Sequence, residues 1–189
     1  MKQAKVLTEA ETNRVCAVIA ASKHSARNRI AVMLSFYAGL RVGEISALKY
    51  GDVFDADGNA REQIMLKAAY TKGNHARTVF VGKRLDKELK TFKLSLSSQS
   101  SPSAPLLLTQ KNTAFSANTL CQLFGQLYRK AAVDGASSHS GRRGFITKLA
   151  HSGISAKVIM TLAGHKHLST TQRYIDVNDE MLKAAVEVV

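Results

Sequence analysis

The sequence predicts an α+β domain, mainly α-helical with a small antiparallel β-sheet. Apolar residues recur at helical spacing through most of the chain. Two short β-prone runs flank one turn-forming tetrapeptide, KGNH at residues 72–75. The chain has 189 residues, 45% of them apolar, which is enough for one domain with a sizeable core and short for two.

The elements follow in order. Thr8 and Glu11 form a capping-box pair, in which each side chain can satisfy a backbone N–H of the other's turn. The helix behind it carries Val15, Val18 and Ile19 on one face. A second helix is predicted over about residues 26–38, where Ile30, Met33, Leu34 and Tyr37 share a face and Gly39 supplies the stop. Residues 41–48 read as a short helix with Ile45 and Leu48 inward. Polar turn residues at 55–59, DADGN, precede strand candidates at residues 63–71 and 77–81. Leu85, Leu89 and Phe92 define the next helix. The Ser-rich stretch 95–105 is a loop and not a boundary, because neither side alone could bury an adequate core. Leu120, Leu123, Phe124 and Leu127 mark a long helix. Phe145, Ile146 and Leu149 mark another, ending near Gly153. Val158, Ile159 and Leu162 mark one ending at Gly164, and an amphipathic helix over about 179–188 closes the chain.

Charge points to the partner. Lys plus Arg number 27 and Asp plus Glu 14, a net charge of +13 that favours a polyanion. The surplus is concentrated. Between Gly135 and Ile175 there is no acidic residue, while Arg142, Arg143, Lys148, Lys157, Lys166 and Arg173 fall there with four of the six histidines. An ordinary solvated surface mixes both signs, whereas a long acid-free stretch suits a face turned toward phosphate. No apolar run reaches the roughly 18 residues of a membrane span, and the polar opening MKQAKVLTEA is not expected to be a secretory leader. Cys16 and Cys121 match no metal-ligand or disulfide-scaffold spacing and are expected to be reduced core residues of a cytoplasmic protein.

Several polar groups could carry chemistry. Arg41 and Glu44 lie three apart, as do His139 and Arg142 in SHSGRRG, so each pair shares a helix face. Arginine offers a phosphate a bidentate fork, and histidine a hydrogen bond or a proton. In LAGHKHLSTTQRYI, His165 follows the helix-ending Gly164, and Tyr174 stands nine residues later in a basic setting. Each pattern alone has an ordinary explanation: a surface ion pair, an incidental helix turn, a half-buried core tyrosine, a solvated turn lysine at Lys72. DADGN lacks the glycine and glutamate positions of a calcium loop, and His165 with His167 lacks further zinc ligands, so no metal is expected.

Taken together, the chain resembles the tyrosine recombinases, the phage integrase family, whose pattern runs Arg, Lys, His-x-x-Arg, His or Trp, then Tyr. AGLRVGEISAL supplies Arg41 and the acidic companion Glu44; TKGNHARTVFV supplies Lys72; HSGR supplies His139 and Arg142; LAGHKHLSTTQRY supplies His165 and Tyr174. The match runs from about Thr8 to Ile175. One departure is Arg143-Gly144, where many members carry His-Thr after the second arginine. Another is that only seven residues precede Thr8, whereas family members usually carry an N-terminal core-binding domain. The expectation is therefore a single catalytic domain over residues 1–189 with the family's catalytic-domain fold, either excised from a longer chain or a short natural form like the fimbrial phase-switching recombinases.

The resemblance implies a site-specific recombinase in which Tyr174 attacks a DNA phosphodiester and forms a 3′-phosphotyrosyl link. Arg41 and Arg142 would hold the non-bridging oxygens and His165 would add a hydrogen bond. His139 would take the phenol's proton, Lys72 would protonate the leaving 5′-oxygen, and Glu44 would support its neighbours. No metal or nucleotide cofactor is implied. Arg77, Arg143, Lys166 and Arg173 are further DNA-contact candidates. The implied partners are double-stranded DNA with a specific target site, further copies of the chain in a tetramer on paired sites, and accessory DNA-bending proteins, all at the nucleoid in the cytoplasm. The C-terminal helix, about 179–188, would dock on a neighbouring subunit. Two alternatives stay open on the residues alone: DNA relaxation of the type IB topoisomerase kind, and a DNA-binding regulator that has lost catalysis.

Overall fold

The computed structural model describes residues 3–71, 75–96, 101–175, 182–183 and 186–187. Helix α1 (Glu9–Ala20) begins at the predicted cap: Glu11 N–H donates to Thr8 Oγ1 at 3.2 Å, and Thr8 N–H donates to the Glu11 carboxylate at 3.0 Å. Helix α2 (Ser25–Ala38) runs through the middle of the molecule. Ile30, Ala31, Val32, Met33, Leu34 and Ala38 are all buried, because α1, α5 and α7 pack around it. Gly39 ends it at φ +64°, a left-handed conformation that glycine adopts without a Cβ penalty. Helix α3 (Val42–Ala47) follows directly and packs on α6. Helix α4 (Tyr50–Val53) is a single turn that the apolar spacing does not announce.

Strands β1 (Gln63–Leu66) and β2 (Arg77–Phe80) pair antiparallel, with Leu66 opposite Arg77. Both expected strands are present, but the first is shorter than the expected 63–71. Its alternation breaks after Leu66, where low-β-propensity Ala68 and Ala69 enter a 3-10 turn, Ala68–Tyr70. Ten residues, 67–76, therefore separate the paired strands, and the turn expected at 72–75 falls mostly outside the described residues. Thr71 closes its base, donating from Oγ1 to the His75 carbonyl at 2.8 Å.

Helices α5 (Lys83–Leu94), α6 (Ala117–Lys130), α7 (Ser140–His151) and α8 (Ala156–Ala163) match the predicted segments. A short helix α9 (Leu168–Gln172) is not among them. The closing helix predicted at 179–188 lies mostly outside the described residues. Cys16 is half-buried and Cys121 exposed, so neither is the buried core thiol expected; position 121 falls beside the buried Leu120–Phe124 face of α6, not on it.

Apolar packing forms two clusters. The large one spans α1 to α6 and the sheet. The small one, Ile146, Ala150, Ile159 and Ala163, joins α7 to α8, with Tyr174 and Ile175 packed against it. The clusters meet at α2 and α7. There Gly141 lies so close to α2 that a Cβ would come within 2.6 Å of Phe36 and 2.8 Å of the Ser35 hydroxyl. Among the described residues no helix is long and apolar enough to cross a membrane.

Candidate active site

The turn out of α2 sets up one half of the site. Left-handed Gly39 reverses the chain, Leu40 anchors it in the core, and Arg41 caps α3. One turn along, Glu44 is 1% exposed. Its carboxylate accepts the Arg41 backbone N–H at 2.8 Å and Arg41 Nη1 at 2.9 Å. It also accepts Arg77 Nη2 at 2.8 Å from strand β2. This is not a surface ion pair: a carboxylate is buried between two guanidinium groups. Burial alone would raise the Glu44 carboxyl, but the charge and hydrogen bond of Arg77, with those of Arg41, outweigh it and hold the carboxyl below its ordinary range. Losing one partner would leave an uncompensated buried charge.

The second half is built on Arg142, on the first turn of α7 and almost wholly buried. Nη1 donates to the Gly39 carbonyl at 2.6 Å, and Nη2 donates to the Ala163 carbonyl. Those carbonyls lie two residues before Arg41 and two before His165, so one side chain staples together the backbones that present both. Burial, and then the charges of Arg41 and Arg77, push its guanidinium down to about 9, while Glu44 and Tyr174 act the other way. It remains a cation at neutral pH.

The second half continues after α8. Gly164 ends that helix at φ +62°, and His165 comes next. His165 Nδ1 and the Thr171 hydroxyl are 2.8 Å apart, with Thr171 fully buried in α9. The imidazole lies nearly parallel to the Tyr174 ring, at 21° with centroids 5.9 Å apart. The Arg143 guanidinium lies 5.7 Å from the same ring's centroid. Burial first, and then Arg142, Arg41 and Arg77, lower the imidazole to about 4, so it is neutral at pH 7. The result is a cationic cluster with a phenol at its margin, suited to a phosphate.

Comparison with known proteins gives the family and the fold. Residues 5–181 match the phage integrase family. The chain is a member of that family. Its similarity to tyrosine recombinase XerA of Thermococcus kodakarensis is 34% identity over 186 residues, covering 97% of this chain and 62% of that protein. The crystal structure of XerA recombinase superposes with a TM-score of 0.74 at 24% identity, over 98% of this chain and 63% of that one. The Tn1549 transposon integrase, in complex with a circular intermediate DNA, superposes with a TM-score of 0.78 at 18% identity, over all of this chain and 67% of the other. The chain thus spans a little over three-fifths of the XerA length. The fold is that of tyrosine recombinase catalytic domains, mostly helical with a two-stranded antiparallel sheet.

Among the sequence-predicted residues, Arg41, Glu44, Arg142, His165 and Tyr174 come together as described above. His139 is the exposed N-cap of α7, one turn before buried Arg142. Lys72 lies outside the described residues. Lys166 and Arg173 are exposed, each next in the chain to a residue of the cluster, and Arg143 is half-buried against Tyr174. Arg77 differs from its expected place on the DNA surface: its side chain is 9% exposed, and its guanidinium is held by Glu44 and by the Leu162 carbonyl at 2.8 Å. Sequence reasoning missed Thr171 and the carbonyls of Gly39, Leu162 and Ala163. The glycines Gly39 and Gly164 are the available signal, since each reads as a helix stop beside a candidate residue.

Proposed function

We propose that this chain is the catalytic domain of a site-specific DNA recombinase that cleaves and rejoins strands through a 3′-phosphotyrosyl intermediate on Tyr174. The observation that carries the reading is the convergence of Arg41, Arg142, His165 and Tyr174, drawn from three separate stretches of chain, with Arg142 tying the other two stretches together. Family membership and the DNA bound by the Tn1549 integrase support DNA as the substrate.

In the proposed step the Tyr174 phenolic oxygen attacks phosphorus, and the bond to the 5′-oxygen breaks. His139 takes the phenol's proton and Lys72 delivers one to the leaving oxygen; both assignments come from the family pattern. Attack by a 5′-hydroxyl reverses the step, so the phosphotyrosyl bond conserves what rejoining needs and the chemistry balances without a nucleotide or a metal ion. Arg41 and Arg142 hold the non-bridging oxygens, where negative charge accumulates in the transition state. Neutral His165, its Nδ1 paired with the Thr171 hydroxyl, offers its other ring nitrogen, as the Nε2–H tautomer, to the same oxygens. Arg143, Lys166 and Arg173 extend the cationic surface to neighbouring phosphates.

The partners proposed are duplex DNA with a specific site, a tetramer of recombinase subunits on paired sites coupled through the segment at about 179–188, and accessory DNA-bending proteins. The place of action is the nucleoid. The test is a nicked suicide duplex carrying the DNA that flanks the gene. The wild-type chain accumulates a covalent complex on a denaturing gel, and Tyr174→Phe binds the duplex without forming one. An adduct with Tyr174→Phe, or none with the wild type, contradicts the proposal.

A further inference from the structure

We infer that Arg77 is a positioning residue that locks the two halves of the site together, and not a DNA contact. The inference rests on the recombinase reading and assigns a role within it. Three observations converge on this side chain. Nη2 donates to the carboxylate of Glu44, the group that holds Arg41 by backbone and side chain. Nη1 donates to the Leu162 carbonyl, near the end of α8 and three residues before His165. The aliphatic part of the side chain fills the space at Gly164, where a Cβ would overlap Cδ of Arg77. The glycine that releases the chain into His165 thus lies directly against Arg77.

The consequence is mechanical and electrostatic. Arg41 lies between Leu40 and Ile45 of the large apolar cluster, and His165 follows α8, whose Ile159 and Ala163 belong to the small one. Arg77 touches the supports of both from strand β2, which also ends the 67–76 connection containing Lys72. One guanidinium therefore sets the spacing between the groups proposed to hold the phosphate oxygens. Lysine can keep the charge but cannot place two donors in a fixed planar fork. At 9% exposure, the side chain has little surface to offer DNA.

The test compares wild type, Arg77→Lys and Arg77→Ala on the suicide duplex, reading the single-turnover rate of covalent complex formation at saturating protein. DNA affinity is measured separately across a salt series, and folding is checked by circular dichroism. A positioning role predicts a saturated rate lower by about 10²-fold in Arg77→Lys, the scale expected when reacting groups are misplaced by about 1 Å. It also predicts an affinity within a few-fold of wild type and an unchanged salt slope. A phosphate contact would instead weaken binding and reduce the salt slope by about one. That result, or an undiminished saturated rate in Arg77→Lys, overturns the assignment. If Arg77→Ala fails to fold, Arg77→Lys alone decides between the two roles. Absence of an adduct with wild type would sink the recombinase reading itself, whereas a wild-type adduct with an unaffected Arg77→Lys sinks only this inference.

Discussion

The large and small apolar clusters hold their shape by different means. From α1 to α6 the molecule is an ordinary core, in which Leu34, Leu40, Ile45, Phe54, Leu66, Leu89 and Phe124 are buried almost completely. From α7 to α9 only Ile146, Ala150, Ile159 and Ala163 form the buried apolar cluster among the described residues. A cluster that small does not fix a fold alone. What holds it is polar and close-packed: Arg142 on the Gly39 and Ala163 carbonyls, Arg77 on the Leu162 carbonyl, and Gly141 against Phe36. The candidate site lies along this seam. Cationic groups are better placed where long side chains, not apolar bulk, join the parts, because each guanidinium can satisfy backbone carbonyls and still face an anion.

Breaking the seam at its centre should have the largest effect. Arg142→Lys retains a cation but loses the fork that bonds Gly39 and Ala163. Its single-turnover cleavage rate should fall on the order of 10²–10³-fold, the usual scale for removing one donor that stabilises developing charge. An effect below about tenfold would mean that the seam tolerates a point charge, leaving the comparison without force.

Next comes packing, measured by denaturant midpoint. Gly141→Ala forces a methyl into Phe36 and Ser35 of α2 and should destabilise by roughly 1–3 kcal/mol. Gly144, one turn along the same helix, faces open space, and a methyl there would meet nothing within 4 Å. Gly144→Ala should be neutral or stabilising by up to about 1 kcal/mol. Equal effects at the two glycines would show that α7 is not held tightly at one face.

How much of this was legible in the sequence follows the same division. The main cluster was, because its helices are long and periodic: Thr8 and Glu11 mark the start of α1, and Gly39 the end of α2. Helices α4 and α9 were not, since four or five residues are too few to establish a period, and the hydroxyl-rich LSTTQ of α9 has weak helix propensity. The kinds of residue in the candidate site, and their chain order, could be read directly. Their environments could not. Arg142 meets the Gly39 carbonyl across 103 positions, and Arg77 meets Leu162 across 85. Contacts that distant leave no local pattern, so Arg77 resembles any exposed strand arginine and Arg142 gives no sign of burial.

The smallest expected effect is in pH. The folded imidazole of His165, at about 4, lies below its ordinary value of 6.5. The unfolded chain therefore binds the proton first as pH falls. The stability contributed by neutral His165 is fully present above about 6.5 and is lost as pH falls toward 4. Nuclear magnetic resonance of the ring should find it still neutral at pH 6. A midpoint near 6.5 would mean that the ring is neither half-buried nor beside the arginines.

The central claim is that the phenol at the margin of the seam is the group that meets phosphorus. The most direct measurement is mass spectrometry of the trypsin-digested covalent complex formed on the suicide duplex. The account predicts the nucleotide on the peptide that begins at Tyr174, released by cleavage after Arg173. A nucleotide carried by any other tyrosine, or by a serine or histidine elsewhere in the chain, would contradict it.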